Sequence, residues 1–253
     1  MRAVVLHGGR LVLDEIADPV PAPGQVLVRT LTNGICGSDL HSLDMAEARP
    51  EAMEGAVLGH EFCAEVLDYG PATTERPFAI GTKVCANPFT AAGGLVNPGG
   101  LAEMMVLDVD RAVSVPEHVS AEQAALTEPL AVGIRAVAVG ESLPGGGPYI
   151  VNGCGPIGLA VILALQALGR GPIIATDLSP VRLAVAEKLG VELAMDASSD
   201  TAFDHLSEFG FAPANISALL GRGAPDVLGV TIYECSGASG MIPRLMETAP
   251  AHS

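Results

Sequence analysis

The sequence predicts an α/β protein with a mostly antiparallel β domain followed by a doubly wound parallel sheet that is incomplete at its far end. Three observations carry this expectation. Residues 1–127 hold short β-type segments cut by glycine and proline. From Gly145 the rhythm changes to strand–helix–strand. Only 100 residues follow Gly153, enough for four strands and too few for a six-stranded sheet. The expected units are 1–127, a helical connection over 128–145, and a nucleotide-type domain over 146–253.

In chain order, Arg2–Leu6, Arg10–Leu13 and Gln25–Thr32 are β-branched or alternating, with Pro19, Pro21, Pro23 and Gly24 separating the last two. Glu61–Leu67, Lys83–Ala86, Leu101–Leu107 and Ala112–Val115 continue in the same style, the pattern of a small, partly open barrel. Leu43–Val57 reads as loop. Between Ser120 and Val139 apolar residues recur at helical spacing. Then come a strand at Pro148–Asn152, a helix at Ile157–Leu168 and a strand at Ile173–Thr176. A helix at Pro180–Leu189 and a strand at Val191–Met195 follow. Thr201–Leu206 reads as helical, Val227–Glu234 as the fourth strand and Met241–Thr248 as the helix after it.

Composition narrows the function. A net charge of −16 without any lysine or arginine cluster disfavours nucleic acid and anionic membrane as partners. Five dispersed cysteines with no CxxC pair suit a reducing compartment. No signal-peptide core is evident, and the run Ile157–Leu168 is too short to span a bilayer. The expected location is the cytoplasm.

Gly153-Cys154-Gly155-Pro156-Ile157-Gly158 lies between an apolar strand and an apolar helix, and Asp177 closes the next strand. Gly153 permits the tight turn, Gly155 lets a diphosphate approach the backbone, and Gly158 allows close helix packing. Pro156 and Ile157 open the helix, whose N-terminus attracts an anion. Asp177 is expected to accept from ribose hydroxyls and to repel a 2′-phosphate, favouring NAD over NADP. Arg182 weakens that preference. The competing readings are an ordinary glycine loop with Asp177 as a helix cap, or another nucleotide such as FAD.

Scattered metal-type ligands precede this turn. Cys36 lies in Gly34-Ile35-Cys36-Gly37-Ser38-Asp39-Leu40-His41, His60 and Glu61 in Gly59-His60-Glu61, and Glu128 in Glu128-Pro129. One thiol, one imidazole and one or two carboxylates suit zinc with an open coordination position. Read singly, Cys36 is a small core residue and Glu128 a charge at a helix N-terminus. These motifs, with Pro98-Gly99-Gly100-Leu101-Ala102-Glu103 and the glycine turn, resemble the zinc-containing medium-chain alcohol dehydrogenases. The likeness is to their polyol and threonine dehydrogenase branch, and it covers nearly the whole chain.

The resemblance implies a GroES-like domain, then a Rossmann domain, with one catalytic zinc in the cleft between them. It assigns Cys36, His60 and Glu128 as ligands and Glu61 as a direct or exchanging one. Asp39 would orient His60. Ser38 is the first proton-relay hydroxyl and His41 the relay base near solvent, unless His41 is an ordinary surface histidine. The four-cysteine lobe of many relatives is absent after Lys83–Ala86, so no structural zinc is expected; Cys63, Cys85 and Cys154 read as core.

The implied reaction is hydride transfer between a secondary alcohol or polyol and NAD. Family members are homo-oligomers, but the expected dimer edge strand is missing from this sequence. The remaining alternatives are a non-catalytic remnant and a zinc-free quinone or enone reductase.

Overall fold

The computed structural model describes residues 1–87, 99–142, 147–198, 202–209 and 230–248. The chain divides into two compact units, Met1–Glu128 and Pro129–Ser253.

In the first unit, β1 (Arg2–His7) and β2 (Arg10–Glu15) make an antiparallel hairpin over Gly8 and Gly9, both at positive φ. β1 buries Ala3, Val5 and Leu6, whereas β2 is exposed along its length. The main sheet contains β3 (Gln25–Asn33), β4 (Phe62–Tyr69), β5 (Lys83–Ala86), β6 (Met104–Asp108) and β7 (Ala112–Ser114). Their order is β6-β3-β4-β5-β7, and every pairing is antiparallel. Period-2 alternation sends Val26 and Val28 inward to meet Ala64, Val66, Val84, Met105 and Leu107 in one core. Each of the larger side chains so buried contributes about 1.5–3 kcal/mol.

Helices fill the rest: α1 (Gly37–Ala48), α2 (Pro50–Met53) and α3 (Ala121–Ala125); α4 (Thr127–Gly140) begins at the end of this unit and continues into the second. The reading of Leu43–Val57 as loop is corrected here, since α1 and α2 occupy much of it. α1 buries only Asp39 and Ala46 and therefore has no apolar stripe to betray it. Its N-terminus is fixed instead by the Cys36 N–H, which donates to Asp39 Oδ2 at 2.9 Å. Ser120 and Gln123 form a reciprocal capping box at the start of α3.

The second unit contains β8 (Tyr149–Asn152), α5 (Pro156–Ala167), β9 (Ile173–Asp177), α6 (Pro180–Leu189) and β10 (Leu193–Asp196). A 3-10 turn over Ala202–Phe209, β11 (Thr231–Glu234) and α7 (Met241–Thr248) complete its described part. The sheet runs β10-β9-β8-β11, all parallel, so sequence order reads 3-2-1-4. β8 and β9 are buried at every position, which explains their mostly apolar character up to the polar Asn152 and Thr176-Asp177 at their ends. α6 is set by the Ser179 cap, Pro180 in its first turn and Gly190 in the left-handed region at its end.

Gly145, Thr201, Val227 and the Asn97-Pro98 pair expected from the sequence lie outside the described residues, as does the segment expected to replace the structural-zinc lobe. Among the described residues, no helix is long and apolar enough to cross a membrane.

Candidate zinc and nucleotide sites

The first unit brings three chemically matched side chains to one point. A sulfur of Cys36, a ring nitrogen of His60 and a carboxylate oxygen of Glu61 all lie within 4.8 Å of one another. A zinc ion binds each such donor at about 2.0–2.3 Å, so one ion can draw all three together. Cys36 precedes α1, whereas His60 and Glu61 stand immediately before β4.

Close backbone contacts hold these two segments in place. The Gly34 N–H donates to the Glu61 carbonyl at 2.6 Å, and Gly100 N–H to the Gly59 carbonyl at 2.8 Å. Gly59 has φ +99°, and a Cβ there would come within 2.8 Å of both Asn33 Nδ2 and the Leu101 nitrogen. A Cβ on Gly34 would overlap the Glu61 carboxylate, so glycine makes room for that group.

Asp39 is buried and lies with Oδ1 3.6 Å from His60 Nδ1. This contact leaves Nε2 as the nitrogen available to a metal ion, with Ser38 Oγ 3.4 Å from it. His41 is exposed on the turn of α1 after Ser38. Glu128 stands outside the tight group, yet burial raises its carboxyl above the ordinary range, His60 opposing and Glu61 reinforcing that rise.

Asn33 was not singled out by sequence. It donates to the Gly34 carbonyl and packs where side chains on Gly59 and Gly100 would otherwise sit. Nothing in an Asn at a strand end signals this clamp. Asp39→Asn is expected to weaken zinc binding about 10–100-fold. A chelator competition that finds unchanged affinity would remove Asp39 from the orienting role. Thermal melting of the metal-free variant separates this from loss of the helix cap.

The second unit places the glycine turn at the carboxyl end of β8. Gly153 has φ +96°, and a Cβ there would lie 2.6 Å from the Ser236 nitrogen. A Cβ on Gly158 would overlap the Gly153 carbonyl. Around Gly155, by contrast, nothing lies within 4 Å of where a Cβ would be, so the start of α5 is open to a ligand. Pro156 and Ile157 begin that helix. Open backbone at a helix N-terminus suits a diphosphate.

Asp177 is buried at the end of β9, and its carboxylate is already engaged. Oδ2 accepts the Cys154 N–H at 2.7 Å; Oδ1 accepts Ser179 N–H at 2.7 Å and Arg182 Nε and Nη2 at 3.0 and 2.9 Å. Burial pushes its pKa up, but these hydrogen bonds and the Arg182 charge outweigh burial and hold it below the ordinary range. A carboxylate held low in the fold stabilises it above the unfolded-state pKa and loses that contribution as pH falls through the folded one. Asp177→Asn is therefore expected to flatten the acid side of the stability curve. Chemical denaturation between pH 3 and 6 checks this; an unchanged acid slope would contradict it. Burial and the Asp177 charge push the Cys154 thiol up to about 11, so it is inert at neutral pH.

Residues 22–117 match the model of the alcohol dehydrogenase GroES-like domain. The chain is 32% identical over 234 residues to the (R,R)-butanediol dehydrogenase of Bacillus subtilis, covering 82% of this chain and 67% of that one. The chain belongs to the medium-chain alcohol dehydrogenase family. Within that family it falls in the polyol and threonine dehydrogenase branch: it is also 31% identical to an L-threonine 3-dehydrogenase of Mesorhizobium japonicum, over 78% of this chain and 62% of that one. The chain thus spans about two thirds of the length of these curated relatives. The crystal structure of the B. subtilis 2R,3R-butanediol dehydrogenase superposes with a TM-score of 0.70 at 27% identity, covering 97% of this chain and 87% of that one. The antiparallel sheet and the 3-2-1-4 parallel sheet are those of a medium-chain dehydrogenase.

Proposed function

We propose that the chain transfers hydride between a secondary alcohol or polyol and NAD, with one catalytic zinc held in its first unit. The observation that carries this reading is the convergence of Cys36, His60 and Glu61 within 4.8 Å. The relatives' names, a butanediol dehydrogenase and a threonine 3-dehydrogenase, point to a hydroxyl-bearing carbon as the substrate class.

Cys36, His60 and a carboxylate, Glu61 or Glu128, would hold the metal. Bound there, zinc supplies Lewis acidity that lets an alcohol ionise near neutral pH. Asp39 holds the His60 ring by its Nδ1 side. The Ser38 hydroxyl takes the alcohol proton and hands it toward solvent, with His41 on the next turn as the receiving base. Gly153, Gly155 and Gly158 shape the diphosphate site, and the start of α5 at Pro156 and Ile157 supplies the N–H groups. The second Asp177 oxygen, which among the described residues accepts only the Cys154 N–H, takes a ribose hydroxyl. Arg182 is drawn onto Asp177, so its charge is offset rather than offered to a 2′-phosphate. This favours NAD over NADP. A cytoplasmic setting and partners limited to small molecules and other copies of the chain complete the reading.

Titration of NADH into the purified chain, followed by fluorescence with NADPH as control, tests it. Saturable NADH binding at least tenfold tighter than NADPH is expected, followed by NAD reduction with diols or threonine. Equal or absent binding of both cofactors overturns the reading.

A further inference from the structure

We propose that Cys63 and Cys85 form a redox modification site, a buried dithiol that a peroxide closes to a disulfide and a thiol reductant reopens. Both thiols are free and lie on adjacent antiparallel strands. Ala64 faces Val84 and Glu65 faces Lys83, so the next step along the same ladder sets Cys63 opposite Cys85. The Lys83 carbonyl accepts from Val115 N–H, at 2.8 Å, on the far side of β5. By alternation the backbone groups of Cys85 also turn toward β7. Val66 N–H donating to the Thr82 carbonyl at 3.0 Å gives the same phase.

Cys63 and Cys85 are thus a non-hydrogen-bonded cross-strand pair, whose Cα atoms stand about 4.5 Å apart. That separation falls inside the disulfide range of about 4.4–6.8 Å. Their side chains leave the sheet on one face: both join a buried cluster with Ala124.

The chemistry balances with a peroxide as oxidant. The thiolate of one cysteine attacks a peroxide oxygen, the O–O bond breaks, and a sulfenic acid forms as water or an alcohol leaves. The second thiol attacks that sulfur, forming the S–S bond and releasing water. Two thiols lose two electrons and two protons, and the peroxide is reduced. Burial of the pair favours a small, neutral oxidant such as hydrogen peroxide.

Closure has a structural consequence. Cys85 donates to the Ala124 carbonyl at 3.1 Å, four residues before Glu128. Cys63 is two residues past Glu61. A disulfide removes the thiol proton that Cys85 donates to the Ala124 carbonyl, so that carbonyl, which also takes the Leu126 N–H at the end of α3, loses one of its donors. On the zinc reading proposed above, oxidation therefore loosens the segments that carry both carboxylates.

The full chain is exposed to hydrogen peroxide, remaining thiols are alkylated, and the protein is cut after glutamate. This isolates Cys63 in peptide 62–65 and Cys85 in peptide 76–103, both apart from Cys36. The expected product is these two peptides joined, two hydrogens lighter than their sum, and separated again by dithiothreitol. It should accumulate at least tenfold faster than any other joined pair. Free or singly oxidised Cys63 and Cys85 under conditions that oxidise Cys36 would overturn the site. In Cys63→Ser, Cys85 is expected to be trapped as a dimedone adduct instead; failure there overturns the stepwise route. This readout needs neither zinc nor activity, so it stands or falls apart from the dehydrogenase reading. Zinc affinity is expected to drop severalfold on closure, and an unchanged affinity would sever the link to the carboxylates.

Discussion

Cys36→Ala is expected to lower zinc affinity by at least about 100-fold, more than loss of an orienting residue such as Asp39. The thiolate is the only sulfur in the cluster with His60 and Glu61, and a methyl group offers the ion nothing in its place. The loss should appear in stability as well. An ion that binds only the folded chain at 1,000 times its dissociation constant stabilises it by about 4 kcal/mol. The native chain should therefore melt at a higher temperature with zinc than with a chelator, whereas the variant should melt alike in both. Cys36 is partly exposed and precedes α1, and its backbone N–H, which caps Asp39, survives the substitution. The metal-free variant should thus keep the native melting temperature to within a few degrees. An undiminished zinc-dependent shift in the variant would show that the ion binds elsewhere.

Gly158→Ala carries the largest expected effect on the second unit. Its Cβ would overlap the Gly153 carbonyl, a backbone atom held between β8 and α5 that no rotamer change can move aside. Overpacking of this kind costs about 1–3 kcal/mol, and the rigidity of both partners places this case at the upper end. The helix must back away from the turn, and the N–H groups of its first residues move with it. NADH binding is expected to fall by at least tenfold along with the stability. Gly155→Ala provides the contrast, because nothing of the protein occupies the space its Cβ would enter. That variant should keep its stability and lose affinity for the cofactor alone. Equal stability of Gly158→Ala and the native chain would refute the packing argument.

Legibility differed sharply between the two units. β8, α5, β9 and α6 were readable to within a residue or two, because each carries its own signal: mostly apolar strands, a proline at each helix start and Gly190 at an end. α1 was not readable, because Gly37–Ala48 buries just Asp39 and Ala46 and its hydrogen-bonding cap resembles loop chemistry. The ligand motifs stood out as residue types, but their convergence depends on the glycine-mediated backbone contacts among Gly34, Gly59 and Gly100. Those contacts join segments far apart in sequence. The capture of Arg182 by Asp177 was similarly invisible, since spacing alone leaves the guanidinium free to face either the carboxylate or a ligand. Strand register, which only pairing across β4 and β5 fixes, hid the cross-strand position of Cys63 and Cys85.

X-ray absorption at the zinc edge, recorded on the chain loaded with one equivalent of zinc, tests the central claim most directly. The account predicts one sulfur neighbour at about 2.3 Å and nitrogen or oxygen neighbours at about 2.0–2.2 Å. A shell without sulfur, or with more than one, would contradict the site built on Cys36, His60 and a carboxylate.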